Sequence, residues 1–586
     1  MWYRCIYCLL TLWLLLPVSA AAESGGPTLE YSVAGLEGNL RRNALAWLGD
    51  PPDSVQARLN FLVTARERVE DSLKALGYYK AKISTTIKRT DPVWSLEISV
   101  DPGEPVLIRE ATVQVTGPAL EDPRFEELLA RVPFRKGDVF NHGDYDKFKN
   151  ELLNLGQQRG YFDARLRQHR VEVNPVSDTA DIVLLYESGP RFRFGPVQYD
   201  DTRLEPSLLA AIQPFQEGDF FEQSKLQALQ AALQRTRYFS GVLIKPEFAE
   251  VSDYRVPLKV TLHPANRHGF DVGVGYSTDT QARVSMVWRT PLINRYGHSQ
   301  ETRIAWSEVN PGGRFVYSIP LQHPLNDVLH LTARLEDDEY GDQDSRQQEV
   351  GVQREMRGSR WLSSYSARVL EESWQVKNTQ YSNLYTLPGI SFSRSDRSGN
   401  LVDPSGGFSQ LYKIEVGSEA LGSDVDLLRA TANFSYILTP WPAHRLVART
   451  ALGAVFISGP DRRNLAPSLG FFAGGSQSIR GYGYQSLGKE LEVLRDNGTP
   501  QTLTVAADRL LTGTLEYQYY FTPQWRGALF VDAGDAFDEG GFDAKYGPGF
   551  GVHYLSPVGA VRLELANGVS ENGGDWRLVI NIGAEF

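Results

Sequence analysis

Cysteine is confined to positions 5 and 8 of a 586-residue chain. Both lie in the opening stretch MWYRCIYCLLTLWLLLPVSAAAES. Arg4 supplies a positive start there, Ile6 to Leu16 an apolar core, and Ala20-Ala21-Ala22 a small-residue cleavage site before Glu23. The stretch is too short for a comfortable membrane helix and reads as a signal peptide over residues 1–22. The mature chain then has no cysteine, which excludes disulfides, thiol catalysis and thiolate metal sites together. Long apolar runs are missing as well. Beyond residue 25 nothing approaches a helical span, so any membrane crossing has to be a β-barrel. Positive charge is in deficit too: the net charge is −11 and the pI about 5.5. With no basic domain or stripe to meet phosphates, this balance argues against nucleic-acid binding.

Catalytic signatures are equally scarce. There is no G-x-S-x-G and no H-E-x-x-H, and the nine histidines are scattered without ligand spacing. His553 lies among strand residues and reads as a hydrogen-bonded wall residue. The stretch FFAGGSQSIRGYGYQSLG, residues 471–488, places Arg480 among five glycines. It imitates two phosphate loops. Gly483 to Lys489 matches the start of a P-loop, but Glu490 stands where Ser or Thr has to hold magnesium. Gly481-Tyr482-Gly483 begins a dinucleotide fingerprint that has no third glycine at the needed spacing. No nucleophile–base pair is visible, so the chain reads as no enzyme, with neither cofactor nor metal.

What the sequence does contain is two halves of different periodicity. Residues 26–265 repeat at roughly 80 residues. Three helical segments each run into an aromatic strand start. Their apolar positions are Leu62, Ala65, Val69, Leu73 and Leu76, then Tyr145, Phe148, Leu152 and Leu155, then Leu226, Leu229 and Leu233. Gly77 and Gly160 fit helix ends that need positive φ. In the third copy Arg237 stands in that place, so its helix end is expected to be built differently. Each unit reads β-α-α-β-β, with boundaries at 26–103, 104–189 and 190–265.

From residue 267 to 586 short alternating segments take over, divided by Gly, Asn, Asp and Pro turns. In LTGTLEYQYYF, Leu511, Leu515, Tyr517, Tyr519 and Phe521 oppose Thr512, Thr514, Glu516 and Gln518. In WRLVINIGAEF, Trp576, Leu578, Ile580, Ile582, Ala584 and Phe586 face one way. Segments of about ten residues with aromatic ends, over about 320 residues, favour a transmembrane antiparallel barrel over a soluble sandwich. The count is about sixteen strands. The mean hydropathy of −0.31 follows from a polar lumen face.

These repeats resemble polypeptide-transport-associated (POTRA) domains. The Ile479-Arg480-Gly481-Tyr482 motif resembles the Arg-Gly-aromatic motif of the BamA/TamA superfamily of outer-membrane assembly and secretion barrels. In that family the motif tips a long sixth extracellular loop that folds back into the barrel. Here the loop region is some 50 residues, far beyond a hairpin. An arginine in a lumen needs anions, and alternation turns Glu516 and Asp532 inward on neighbouring strands. Arg480, Glu516 and Asp532 are therefore expected to lock the loop inside the barrel.

Three repeats and this loop context look most like the TamA group, the outer-membrane subunit of the translocation and assembly module. The resemblance implies an outer-membrane location in a Gram-negative bacterium, with the repeats in the periplasm. It implies a TamB-like partner anchored in the inner membrane, clients such as autotransporters, and contact with outer-membrane lipid. The terminal Phe586 resembles the signal for outer-membrane insertion. The first barrel strand, HGFDVGVGYS, has to meet the last. Gly269, Gly273 and Gly275, beside Val274, face Ile582 and Gly583 across that lateral seam and are expected to weaken it. A two-partner-secretion transporter passing an exoprotein through the lumen, and a contribution to lipid transport, are the alternatives. A passive porin would leave the repeats without purpose.

Overall fold

The computed structural model describes residues 27–200, 202–400, 403–457, 465–495, 499–556, 559–569 and 574–583. The signal-peptide reading over residues 1–22 and the terminal Phe586 lie outside the described residues. The chain forms two compact units. The first runs to Pro196 and takes in Glu217–Lys225 and Glu247–Pro257; the second comprises Val197–Gln216, Leu226–Pro246 and Leu258–Phe586.

The expected β-α-α-β-β order recurs three times. The first repeat has strand Thr28–Ala34, helices Gly38–Leu48 and Val55–Ala75, and strands Lys82–Thr90 and Val93–Asp101. In the second, strand Leu107–Thr116 precedes helices Pro123–Leu129 and His142–Arg159 and strands Arg165–Asn174 and Thr179–Glu187. The third follows with Arg193–Asp200, Pro206–Ile212, Gln223–Arg235, Phe239–Pro246 and Arg255–Pro264. In every sheet the last strand is central. In the first two repeats it runs parallel to the opening strand and antiparallel to the middle one.

Helical spacing explains the cores. Phe61, Leu62, Ala65, Val69 and Leu73 form one stripe of their helix and pack on Leu96, Ile98 and Val100 of the central strand. Tyr145, Phe148 and Leu152 do the same against Ile182, Leu184 and Tyr186. Each fully buried aliphatic or aromatic side chain contributes about 1.5–3 kcal/mol, so these stripes carry the repeats.

The helix ends share a left-handed residue, but the third is closed differently, as expected: Tyr78 and Tyr161 donate their N–H to the Leu73 and Gly156 carbonyls, whereas the Tyr238 N–H donates to the Thr236 hydroxyl at 3.2 Å. Gly77 has φ +91°, and a Cβ there would lie 2.3 Å from the Phe140 carbonyl oxygen. Gly160 has φ +84°. Arg237, in the place of the glycine, also turns left-handed, with φ +59°. The turn that aims the next aromatic into the core requires that conformation, and the tertiary packing of Tyr238 holds it against the arginine's preference. Tyr238 is buried, and its hydroxyl donates to the Gly297 carbonyl at 2.7 Å.

The second unit holds a closed barrel of sixteen strands, each antiparallel to the next, from Gly269–Ser277 to Asp575–Gly583. Alternation sets its two faces. On strand Arg509–Tyr520, Thr512, Thr514, Glu516 and Gln518 are buried, whereas Leu511, Leu515, Tyr517 and Tyr519 are exposed outward. Trp576, Leu578 and Ile582 are likewise exposed on the last strand, and Val579 is buried. His444, Trp441, Tyr519 and Phe521 gather their rings at strand ends, where an aromatic girdle belongs.

Candidate functional site

Strands His444–Ile457 and Arg509–Tyr520 are neighbours in the barrel although about fifty residues separate them in the chain. The described part of this connection includes a short helical turn at Pro467–Leu469 and a hairpin of Lys489–Leu494 with Pro500–Val505. Lys489 thus opens a strand, and among the described residues no helix follows the glycines as a phosphate loop would require.

Arg480 is buried at 2% exposure. Its backbone N–H and Nε both donate to Asp532 Oδ2, at 3.0 and 2.8 Å, and Nη2 donates to Oδ1 at 2.9 Å. Nη1 reaches Glu516 Oε2 at 2.8 Å and Glu564 Oε1 at 3.0 Å. The guanidinium carbon lies 3.2 Å from the centroid of the Phe530 ring, a cation–π stack. The sequence placed Glu516 and Asp532 inward, and the structure brings both onto Arg480. It missed Glu564. In RLELA, Leu563 is outward and exposed while Glu564 is buried, so the same alternation carried that signal.

The motif's other residues have distinct tasks. Ile479 is fully buried with Ala473, Ala507 and Ala536. Gly481 passes so close to the wall that a Cβ would lie 2.6 Å from the Asn567 carbonyl oxygen and from the Gly568 nitrogen. The Tyr482 hydroxyl donates to the Val569 carbonyl at 2.7 Å. His553 extends the network: its Nδ1 accepts from Arg526 Nε at 3.1 Å, so Nε2 carries the proton toward Glu564 at 2.9 Å. Ligand atoms of Glu516, His553 and Glu564 lie within 4.8 Å of one another. Arg480 Nη1 already binds both carboxylates and both imidazole nitrogens are engaged, so the guanidinium fills the place a metal cation would take.

A second attachment holds the same loop to other strands, and sequence reasoning did not find it. Glu372 Oε1, on strand Leu362–Val376, accepts from the Ser468 N–H at 3.1 Å and from the Ser345 hydroxyl at 2.7 Å. The Ser468 hydroxyl bonds the other Glu372 oxygen. The Ala466 N–H donates to the Tyr385 hydroxyl at 3.0 Å, and Arg429 Nε to the Leu469 carbonyl at 3.0 Å. Glu372, Tyr385 and Arg429 stand 40 or more residues from their loop partners in sequence and are brought to them by the barrel.

The first strand pairs with its successor along its whole length, from Gly269↔Arg289 to Ser277↔Gln281. Against the last strand the described residues pair only as Tyr276↔Ile582 and Ser277↔Asn581, with one further bond from the Thr278 N–H to the Ile580 carbonyl at 3.0 Å. Ile582 therefore opposes Tyr276 rather than Val274. Gly275 sits tight against the seam, where a Cβ would come within 2.9 Å of the Ile582 carbonyl oxygen. Gly269, Gly273 and Val274 have no ladder partner on that side among the described residues. Gly583 pairs instead with Ala560 on the preceding strand.

A family model described as the Omp85 superfamily domain matches residues 266–586. Residues 30–102 match a model described as POTRA domain TamA domain 1. Residues 111–189 match a POTRA model described as surface antigen variable number repeat. The outer membrane protein assembly factor BamA of Nitratidesulfovibrio vulgaris is 25% identical over 368 residues, 59% of this chain and 45% of that protein. The match thus spans less than half of the relative's length. The crystal structure of BamA from Haemophilus ducreyi lacking POTRA domains 1–3 aligns with a TM-score of 0.67 at 15% identity, over 81% of this chain and 99% of that one. At that identity the likeness is one of fold.

Proposed function

Because this chain belongs to the Omp85 superfamily, we propose that it is an outer-membrane assembly factor that inserts or secretes β-barrel clients, such as autotransporters, through its lateral seam. The barrel lies in the outer membrane of a Gram-negative bacterium, with the POTRA repeats in the periplasm. A TamA-type role is the specific reading. It is supported by the match of the first repeat to a TamA-type model and by three repeats before the barrel. In this role the repeats receive a TamB-like, inner-membrane-anchored partner that spans the periplasm.

One observation carries the mechanism: among the described residues the first strand pairs with the last only through Tyr276 with Ile582 and Ser277 with Asn581. Every unpaired backbone group facing hydrocarbon costs several kcal/mol, so most barrels pair their strands fully. A first strand whose edge toward its neighbour comes free is a template. An extended client strand satisfies its N–H and C=O groups by β-augmentation, and no nucleotide is needed for that exchange. Arg480, clamped by Asp532, Glu516 and Glu564, acts as a latch that keeps the long loop against the wall while the seam opens.

The test is a disulfide across the seam, in the Tyr276→Cys/Ile582→Cys variant. These positions are directly opposite, within the Cα separation a disulfide bridges. Oxidised protein should lose client insertion and reduced protein regain it. Insertion at the normal rate by the oxidised form would sink lateral opening.

A further inference from the structure

Arg237 is exposed, and core packing does not require it. It stands where the first two repeats use Gly77 and Gly160, and its φ of +59° costs a residue with a Cβ about 1–2 kcal/mol. Glycine would form the same turn without that cost. Beside it, the Tyr238 hydroxyl is tied to the Gly297 carbonyl, in the turn between strands Gln281–Thr290 and Ser299–Ser307. Arg237 is thereby held at the end of the barrel that the chain reaches first, the periplasmic end. Thr236 and Arg237 line a cavity of about 420 Å³ there, together with Arg289, Arg303 and Arg314.

Glu301 is the one carboxylate among the described lining residues, and Arg289 holds it at 2.7 Å. Arg289 also pairs with Asp271. Arg303 reaches Glu301 only at 3.9 Å. It stands directly opposite Arg314 on the next strand, and Arg314 stands opposite Arg334. Like charges in register are destabilising, and guanidinium keeps its proton. Arg334 is neutralised by Glu336 at 2.7 Å and Glu349 at 3.0 Å. Arg237 and Arg314 make no ion pair among the described residues. Glu355, within electrostatic reach of Arg314, is taken by His330 at 3.7 Å. Arg237, Arg303 and Arg314 thus share one cavity with little to offset their charge.

From this arrangement we infer that the periplasmic mouth of the barrel binds an acidic segment of an extended polypeptide, whose carboxylates Arg237, Arg303 and Arg314 take. Arginine forks match carboxylates in planar, two-bond pairs. Pro291 and Val316 are the only apolar residues among the described lining, so the cavity has no bed for an acyl chain. Thr236, Ser299, Gln300 and Ser318 supply hydrogen-bonding groups between the cations instead, which suits a peptide backbone. An extended chain turns every second side chain to one face, about 6.6 Å apart. Facing residues of neighbouring strands are about 5 Å apart, and long arginine stems span the difference. The volume admits a short stretch of chain and no folded domain. That this chain is an unfolded client rests on the assembly-factor reading above; the peptide site does not, nor does it depend on the seam.

The test is calorimetric titration of the full chain in maltoside micelles. The probes are a decapeptide alternating Glu with Thr, its Gln-for-Glu counterpart, dihexanoyl phosphatidylglycerol and inorganic phosphate. The acidic peptide should bind most tightly, and less so as salt is added. Arg303→Gln/Arg314→Gln should weaken it by about tenfold or more, the worth of one charge-assisted hydrogen bond. Arg303→Lys/Arg314→Lys should lie between, since the charge stays and the two-bond geometry goes. Arg237→Gly should weaken the peptide by about threefold, as for an exposed ion pair, while the third repeat gains stability. A merely structural role for Arg237 would not split binding from stability in that way. Heat-modifiable gel mobility scores the folding of every variant. Unchanged affinity in the glutamine or the glycine variant overturns the proposal. So does equal binding of the neutral peptide, or phospholipid or phosphate binding as tightly as the acidic peptide. The oxidised Tyr276→Cys/Ile582→Cys form keeps the two readings apart. Peptide titration reports the mouth there, whereas client insertion reports the seam.

Discussion

Asp532 holds Arg480 by backbone and side chain at once: Oδ2 accepts from the arginine's own N–H at 3.0 Å and its Nε at 2.8 Å, while Oδ1 accepts from Nη2. One carboxylate therefore fixes both the loop's path and the orientation of the guanidinium that Glu516 and Glu564 then share. Removing the cation leaves three buried acids facing one another. Arg480→Ala is expected to cost about 3–5 kcal/mol, the range for breaking one side of a buried ion pair. Arg480→Lys should recover only part of this, because an ammonium cannot make the two parallel bonds to Asp532. Heat-modifiable mobility and the urea midpoint of the reconstituted barrel measure both. Wild-type values for the alanine variant would remove the latch.

Gly481 makes a sharper test, because it carries no charge. A Cβ would stand 2.6 Å from backbone atoms of Asn567 and Gly568, which cannot move without breaking the ladder of strand Gly559–Gly568. Gly481→Ala should lift the motif from the wall while leaving all four charged groups present. A cysteine at Ser478 should then react faster with a membrane-impermeant thiol reagent than it does beside Gly481. Equal reactivity would separate the motif's glycine from loop placement.

Much of this site could be read from the chain because its period-two alternation is strict. Glu516 and Asp532 follow from their outward neighbours Tyr517 and Val531, and Glu564 was equally readable between Leu563 and Leu565. The contact of Phe530 with Arg480 was not, since alternation gives the face of a side chain and not its neighbour. The Glu372–Ser468 attachment and the Tyr276↔Ile582 register were hidden for a common reason. Both depend on how far each strand slides against the next around a closed barrel, a sum over sixteen strands that no local pattern states. In the repeats, helix stripes and turn glycines made the units plain, and Arg237 marked the helix end that is closed by a side chain, the Thr236 hydroxyl.

Arg237 offers a prediction of opposite sign. Its φ of +59° costs an L-residue with a Cβ about 1–2 kcal/mol, part of which glycine returns as chain entropy on folding. Arg237→Gly should therefore stabilise the third repeat, by up to about 1 kcal/mol. Slower amide exchange in helix Gln223–Arg235 is the expected readout. Faster exchange would mean that the arginine side chain contributes more than its backbone costs.

The second repeat contains an acid-sensitive tie. Asp122 caps helix Pro123–Leu129 by accepting from the Arg124 N–H at 3.1 Å. It also takes a two-bond contact from Arg159, at 2.9 and 3.1 Å, with Arg191 at 3.5 Å. Burial alone would raise the Asp122 carboxyl, but the hydrogen bonds from Arg159 and Arg124 and the nearby cations outweigh it and hold the group below the usual carboxylate range. A folded-state pKa below the unfolded one gives stability that is complete above about pH 4 and fades as the pH falls through the depressed value. Protection of the amides in helix His142–Arg159, which carries Arg159, should thus fall as the pH drops below about 4, once the intrinsic slowing of exchange in acid is divided out. Asp122→Asn should be less protected at pH 6 and lack that loss of protection in acid. If the asparagine variant keeps the same pH dependence as the wild type, the acid sensitivity belongs to another carboxylate and the tie is not its source.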